Sequence, residues 1–171
     1  RDRIYSNKYL GENMGLTDST LTAAPLTVTI EEKCNISGIP RGSKTTLTIA
    51  TVTDLYTQII SVPTGGMGIA EFATTPGSGT FKTTMKYLRI TNKDDTNFVT
   101  ITFADHATDD SADDLFAVKV EAGKSIMLGS TSFAASVDDA DHLLTANQTI
   151  KEIKAQADTA AVDIEIVIGE G

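Results

Sequence analysis

Apolar residues alternate with threonine and other polar residues in one short segment after another from Pro25 to the end of the chain. LTVTIE at 26–31, KYLRITN at 86–92, NFVTITF at 97–103 and AVDIEIVIG at 161–169 all show this period of two. Such a period puts every second side chain on one face of a strand, and β-branched residues favour strands over helices. The chain is therefore expected to fold mainly into β-strands.

Further segments of strand character separate these four, and turn-forming residues bound them; they lie at 45–53, 56–62, 68–74, 115–121 and 124–129. In the first of them, Val52 falls out of phase with Leu47 and Ile49, which predicts a bulge near Ala50. The segment at 150–158 suits either a helix or a strand. A strand is favoured, because it would supply a final antiparallel partner for 161–169.

Short polar connections predict which strands are neighbours. KDDT joins the strands at 86–92 and 97–103, which predicts a hairpin. Ala122-Gly123 predicts a second tight turn, between 115–121 and 124–129. A short helical turn is expected near 138–147.

About nine or ten strands separated by regular turns are typical of a sandwich. The fold class expected is all-β: an antiparallel β-sandwich of jelly-roll type with little helix and an extended N-terminal arm. The 171 residues fit one domain of ordinary size. The expected organisation is an arm at 1–24 and a sandwich domain at 25–171.

The segment at 1–24 has no sustained apolar period, and it reads equally well as an extended arm or as a frayed terminus. Its apolar residues would contribute no burial free energy in a solvated tail, so they are candidate anchors for a neighbouring subunit or a larger assembly. Nearby basic residues could pair with acidic loops of another copy, although exposed ion pairs contribute little. The candidate interface residues are Arg1, Arg3, Ile4, Tyr5, Lys8, Tyr9 and Leu10.

Charge and apolar content limit the partners. The net charge of −9 would repel nucleic acid, and no apolar run approaches the roughly 18 residues that span a bilayer. Neither nucleic acid nor membrane is therefore an expected partner. Cys34 is the single cysteine, so no internal disulfide can form, and a buried, inert thiol is the expectation.

Clustered aspartates raise the question of a metal site. The loop at 105–114 holds several carboxylates without a basic residue, and calcium prefers such oxygen ligands. The spacing does not fit an EF-hand, and a solvated acidic loop is the commoner meaning. The weak calcium candidates are Asp109, Asp110, Asp113 and Asp114. His106 and His142 lack zinc-site spacing and are expected to be solvated, so the sequence predicts neither metal nor cofactor.

No catalytic constellation stands out in the sequence. A Gly-x-Ser-x-Gly elbow is absent, and Ser125 is better interpreted as a strand residue beside a turn. The chain has no tryptophan to form a platform for sugar rings, which weighs against glycosidases and lectins. Gly65-Gly66-Met67-Gly68 lacks the lysine of a phosphate loop. The chain is expected not to be an enzyme.

Half of the chain resembles bacteriophage virion proteins. YLRITNKDDTNFVTITF at 87–103, LFAVKVEAGKSIMLG at 115–129 and IKAQADTAAVDIEIVIGEG at 153–171 are similar to segments of capsid decoration (cement) proteins and related head or tail accessory proteins. The resemblance implies a β-sandwich or jelly roll without a catalytic motif. It also implies a location on the outer capsid surface, with the major capsid protein and other copies of the chain as partners.

The resemblance further implies a homo-oligomer, with a trimer favoured over a dimer, because cement proteins commonly occupy symmetry axes of the shell. The alternative is a tail or head fibre module that binds a host receptor or glycan. A secreted enzyme is a third hypothesis, against which the missing catalytic residues weigh.

Overall fold

The computed structural model describes residues 22–73, 80–82, 85–104, 115–129 and 150–171. These ranges contain thirteen strands and no helix. The strands are β1 (Ala24–Glu31), β2 (Cys34–Ile36), β3 (Ile39–Arg41), β4 (Lys44–Val52), β5 (Asp54–Val62), β6 (Met67–Ala73), β7 (Phe81–Lys82), β8 (Met85–Asn92), β9 (Val99–Ala104), β10 (Leu115–Val120), β11 (Ser125–Gly129), β12 (Glu152–Ala157) and β13 (Val162–Glu170). The prediction of an all-β fold is confirmed.

Two antiparallel sheets form a β-sandwich. One has four strands in the order β11-β8-β13-β5, and the other has the order β10-β9-β12-β6 with the short β7 added in parallel at its edge. The chain changes sheet between β5 and β6, β7 and β8, β8 and β9, β10 and β11, β11 and β12, and β12 and β13. Strands that are consecutive in the sequence therefore mostly face each other across the core.

The core fills the space between the two sheets. The inward residues of β13, predicted from their alternation, are completely buried: Val162, Ile164, Ile166 and Ile168. They meet Leu88 and Ile90 of the same sheet and the fully buried residues of β9 and β12. Aromatic rings of Tyr56, Phe72 and Phe81 pack at one edge, where Tyr56 and Phe81 have centroids 4.9 Å apart.

The predicted hairpin between β8 and β9 is wrong. The two strands belong to opposite sheets, and residues 93–98 carry the chain across the sandwich. Each strand has one strongly apolar face, and opposite sheets allow these faces to bury each other. Six residues easily cover the roughly 10 Å between packed sheets. A short polar connection is therefore compatible with either arrangement.

Two further pairings differ from the predictions. The tight turn at Ala122-Gly123 is present, with Lys124 N–H donating to the Glu121 carbonyl, but β10 and β11 lie in different sheets. The segment at 150–158 does form the favoured strand, β12. Its partners are β6 and β9 rather than β13. In both cases face-to-face burial across the core replaces pairing between sequence neighbours.

The predicted bulge in β4 is confirmed. Ala24 pairs with Val52 and Leu26 pairs with Ile49, so β4 has one residue more than β1 over this stretch. Thr51 has a φ of 57°, which is unusual for a residue other than glycine and marks the position of the bulge. The extra residue restores Val52 to the buried face of the strand.

Asp94 organises the crossing between β8 and β9. Its Oδ1 accepts hydrogen bonds from the backbone N–H groups of Thr96 and Asn97, both at 2.7 Å. Hydrogen bonds from the N–H of Asn97 and then of Thr96 lower the pKa of Asp94, because they stabilise the charged carboxylate. The charged form therefore stabilises the folded state.

Replacing Asp94 by asparagine should destabilise the protein slightly at pH 7, since the neutral amide accepts these bonds more weakly. A lowered folded-state pKa contributes stability above the unfolded pKa, near 3.9 for aspartate, and loses it as the pH falls through the folded value. The unfolding free energies of wild type and Asp94→Asn, measured in urea between pH 7 and pH 3, should therefore converge on acidification. A difference that stays constant over this range would contradict the role of the charge.

Candidate interaction surface

Residues 24–52 form one long β-hairpin on the outside of the sandwich. Its base, β1 paired with β4, packs on the outer face of the four-stranded sheet through a second, smaller apolar cluster. The buried members of that cluster are Ile49, Val52, Tyr87 and Val167, with Leu26, Val28 and Met127 packed around them. The base of the hairpin is thereby held as a third layer.

Polar contacts fix the end of this layer. The Lys86 ammonium donates to the carbonyl oxygens of Ala50 and Thr51 at 3.3 and 3.0 Å. The Thr53 N–H donates to the carbonyl of Glu170 at 2.7 Å. The bulged segment of β4 is thus tied both to β8 and to the last residues of β13.

Beyond its base, the hairpin leaves the sandwich. We call residues 33–44 the distal hairpin; they contain β2 and β3, and every residue from 31 to 46 is exposed. Ser37 and Gly38 form its two-residue turn, with φ angles of 52° and 82°. Positive φ at both central residues is the signature of a type I′ turn, which suits the twist of a two-stranded ribbon.

The junction between base and distal hairpin has a defined shape. Glu32 N–H donates to the Ser43 carbonyl at 2.8 Å, and the Ser43 hydroxyl donates to the Glu32 carboxylate at 2.7 Å. A Cβ atom at Gly42 would lie 2.0 Å from the Glu32 carbonyl oxygen, so only glycine fits there. Both strands are linked at this point, and the distal hairpin continues as an ordered ribbon.

The distal hairpin combines apolar and basic side chains. Ile36 and Ile39 are opposite each other in the register, and they are 58% and 54% exposed. Lys33, Arg41 and Lys44 give the segment a charge of +3, but Lys33 forms an ion pair with Glu31 of β1 at 3.0 Å and Lys44 is opposite Glu31 in the register. The whole chain carries −9, so the remainder carries −12. The end of the hairpin therefore presents the two isoleucines and Arg41, whereas Glu31 at its base partly neutralises the two lysines.

A second exposed apolar surface lies on β5. This strand pairs with β13 on one side only, so its other edge is open among the described residues. Leu55 and Ile59 point to the outer face and are 49% and 61% exposed. We call this surface, with Thr57 between the two, the β5 strip. Asp163 of β13 is also exposed. It is opposite Ser61 in the register and therefore lies beside the C-terminal end of β5.

The base of the hairpin stops short of this strip. A Cβ atom placed at Gly169 of β13 would lie 3.6 Å from Leu26 and 3.7 Å from Leu55, which locates β1 next to the start of the β5 strip. Farther along the sheet, Arg89 forms an ion pair with Glu165 at 2.8 Å, so that carboxylate already has a partner. Ile59 remains uncovered on the same face.

Several predicted site residues lie outside the described part of the chain. These are the arm candidates Arg1, Arg3, Ile4, Tyr5, Lys8, Tyr9 and Leu10, the calcium candidates Asp109, Asp110, Asp113 and Asp114, the histidines His106 and His142, and the helical turn at 138–147. Within the described ranges, no group of three or more His, Cys, Asp or Glu residues is arranged to hold a metal ion. The same ranges contain no helix long and apolar enough to cross a membrane.

The prediction for Cys34 is wrong. The thiol is not buried but belongs to β2 of the distal hairpin, where the residue is exposed. A single free cysteine is usually a small buried residue, so the sequence favours burial. Cys34 is exposed because the hairpin that carries it extends away from the sandwich. Ser125 is, as predicted, a strand residue beside a turn; its hydroxyl is 2.8 Å from that of Thr91.

The distal hairpin was not predicted from the sequence. Its strands have only three residues each, and CNISGIPRG shows no alternation long enough to indicate a strand. A usable signal was present in the two isoleucines that flank Ser37-Gly38, since a serine-glycine pair between β-branched residues favours a hairpin turn. The apolar exposure of Ile36 and Ile39 has no counterpart in the sequence pattern.

Comparison of the chain with known protein families, with curated proteins and with solved structures found no match.

Proposed function

We propose that this chain is a non-enzymatic structural protein of a bacteriophage particle, which binds the outer surface of the capsid and stabilises the shell. The observation that carries the proposal is the ordered hairpin with exposed Ile36 and Ile39 beyond a well-packed sandwich. An exposed, ordered apolar patch is typical of a surface that binds another protein. The sequence resemblance to decoration proteins supplies the kind of assembly.

The strand order supports the finer proposal of a jelly roll. In that fold, two four-stranded antiparallel sheets are built from eight strands in two Greek keys. Numbered from β5 and leaving out β7, the eight strands give sheet orders of first-eighth-third-sixth and second-seventh-fourth-fifth. This is the arrangement produced when a long hairpin of eight strands in four antiparallel pairs rolls up into a sandwich. The β1–β4 hairpin and β7 are additions to it.

Self-association belongs to the same proposal. A shell protein that forms a closed homo-oligomer presents the same small patch several times, and the combined contacts bind more tightly than one. A trimer is favoured over a dimer. The major capsid protein is the proposed partner on the shell, and the segment at 1–24 remains a candidate anchor for it.

The copy number in purified particles tests the function. A decoration protein should be present in hundreds of copies, in a fixed ratio to the major capsid protein, when particles are quantified by mass spectrometry with isotope-labelled peptides. A tail protein of the same particle provides the control for a low copy number. A handful of copies would instead indicate a fibre module that binds a receptor or glycan, and absence from the particle would refute the proposal.

A further inference from the structure

Two separate surfaces hold nearly all of the large apolar side chains that the described residues expose. Four of the five belong to the distal hairpin or to the β5 strip: Ile36, Ile39, Leu55 and Ile59. The fifth, Met67, lies on β6 of the other sheet. Within one chain the hairpin and the strip do not cover each other, since all four side chains remain exposed. Among the described residues, neither surface therefore has an apolar partner within the chain.

We propose that the distal hairpin of one copy docks on the β5 strip of a second copy. The proposal deepens the self-association included in the proposed function and rests on it. The donor and acceptor surfaces are different, so each copy can give one hairpin and receive one. Such head-to-tail contacts close into a ring when the rotation between copies divides a full turn.

Each of the two surfaces presents its apolar side chains on a single face. On the hairpin, Cys34 and Ile36 of β2 share one face with their register partners Arg41 and Ile39 of β3. On the strip, Leu55 and Ile59 share one face of β5 and are about 13 Å apart along the strand, at roughly 3.3 Å per residue. A two-stranded ribbon laid on this face would bury apolar side chains of both copies.

The charges of the two surfaces are complementary. Exposed Asp163 is opposite Ser61 in the register and therefore lies on the same face of the sheet as Leu55 and Ile59. Arg41 lies on the same hairpin face as the two isoleucines. Opposite charges around an apolar contact set its orientation and speed up association more than they tighten it. Because each copy carries −9 overall, this attraction is local, between Arg41 of one copy and Asp163 of the other.

The backbone of β5 also has unused hydrogen-bonding groups. Among the described residues, this nine-residue edge strand is paired on one side and contains no proline. Such an edge can accept an additional strand. The outer edges of β2 and β3 are likewise free in the described structure. A hairpin docked on the face of this strand would therefore lie next to an edge that the described residues leave open.

Cys34 makes a direct test available, because it is the single cysteine and lies on the docking face of the hairpin. The full chain is prepared as wild type and as a double variant, Cys34→Ser with Thr57→Cys, which has its thiol in the β5 strip. Only a contact between two copies can join the two thiols in a mixture. Mild oxidation should give the mixed disulfide at least tenfold more efficiently than with the control variant.

The control carries Cys34→Ser with Ala117→Cys. Ala117 is likewise exposed on an edge strand, β10, but in the other sheet. Equal cross-linking at positions 57 and 117, or none at 57, would overturn the proposal. Cross-linking at 57 that appears only after removal of residues 1–12 would overturn it too, since the chain's own N-terminal segment would then occupy the strip.

A second variant pair measures the contact without a disulfide. Ile36→Asp with Ile39→Asp should weaken self-association at least tenfold in sedimentation experiments while the circular dichroism spectrum stays unchanged. Asn35→Asp, on the opposite face of the hairpin, should have little effect. Unchanged self-association in the double variant would refute the docking contact. Particle copy number is a separate measurement, so a shell protein that fails the cross-linking test would refute this contact and leave the proposed function standing.

Discussion

Replacing Phe103 by alanine should lower the free energy of unfolding by about 3–5 kcal/mol. Phe103 belongs to β9, which lies between β10 and β12, and its side chain is 1% exposed. Its ring stacks on Phe116 with the centroids 4.6 Å apart. The truncation would lose the buried ring and leave a cavity that surrounding strands cannot close. Chemical denaturation in urea, followed by circular dichroism, measures the effect.

Ile59→Ala is the matched control for this truncation. It also removes apolar atoms from a strand, but Ile59 is 61% exposed, so the change in monomer stability should be below about 0.5 kcal/mol. The comparison is made at a concentration where the chain is monomeric. Similar losses for both variants would contradict the position of the core between the two sheets.

Asn92→Ala should be the second large destabilisation, at about 1–3 kcal/mol for each buried polar group left without a partner. Asn92 is 1% exposed at the end of β8. Its side-chain amide donates to the carbonyls of Asn97 and Val120 at 2.9 and 3.1 Å, and its Oδ1 accepts from the Asp94 N–H at 2.9 Å. It therefore joins the crossing after β8 to the end of β10.

Asn35→Ala provides the control for that asparagine, because Asn35 is exposed on the distal hairpin and should contribute little to stability. Asn92→Asp keeps the size of the side chain but replaces the amide donor by an acceptor that faces two carbonyls. It should destabilise at least as much as the alanine variant. If Asn92→Asp unfolded at the same urea concentration as wild type, the amide would not have the bridging role assigned to it.

The protein combines a well-packed sandwich with an exposed hairpin. The apolar faces of β8, β9, β12 and β13 are buried against each other, and this burial stabilises the sandwich. Most of the large apolar side chains of these strands belong to that core. The distal hairpin contributes little to that core, so its residues can serve contacts with another molecule. Its cross-strand pairing and the Glu32–Ser43 hydrogen bonds hold its two strands together, and a preformed ribbon would lose less conformational entropy on binding.

The strands could be predicted because alternation is a local property of the chain. Val162, Ile164, Ile166 and Ile168 face one way whichever strands are their neighbours, and all four are buried as expected. The bulge near Ala50 could be predicted for the same reason, because Ile49 and Val52 share a face only if the strand contains one extra residue between them. In contrast, the candidate surface rests on Ile36, Ile39, Leu55 and Ile59, and the sequence does not distinguish these residues from others that are buried.

Pairing and exposure were decided by the tertiary structure. A connection such as residues 93–98 permits both a hairpin and a crossing between sheets, and the choice depends on which partner buries the apolar faces of β8 and β9. The same burial pairs β12 with β6 and β9 instead of β13. The base of the hairpin packs on Tyr87 and Val167, on the outer face of the four-stranded sheet. The distal hairpin, with Cys34, is left exposed to solvent. Alternation along a strand specifies which side chains share a face, whereas what covers that face depends on residues distant in the sequence.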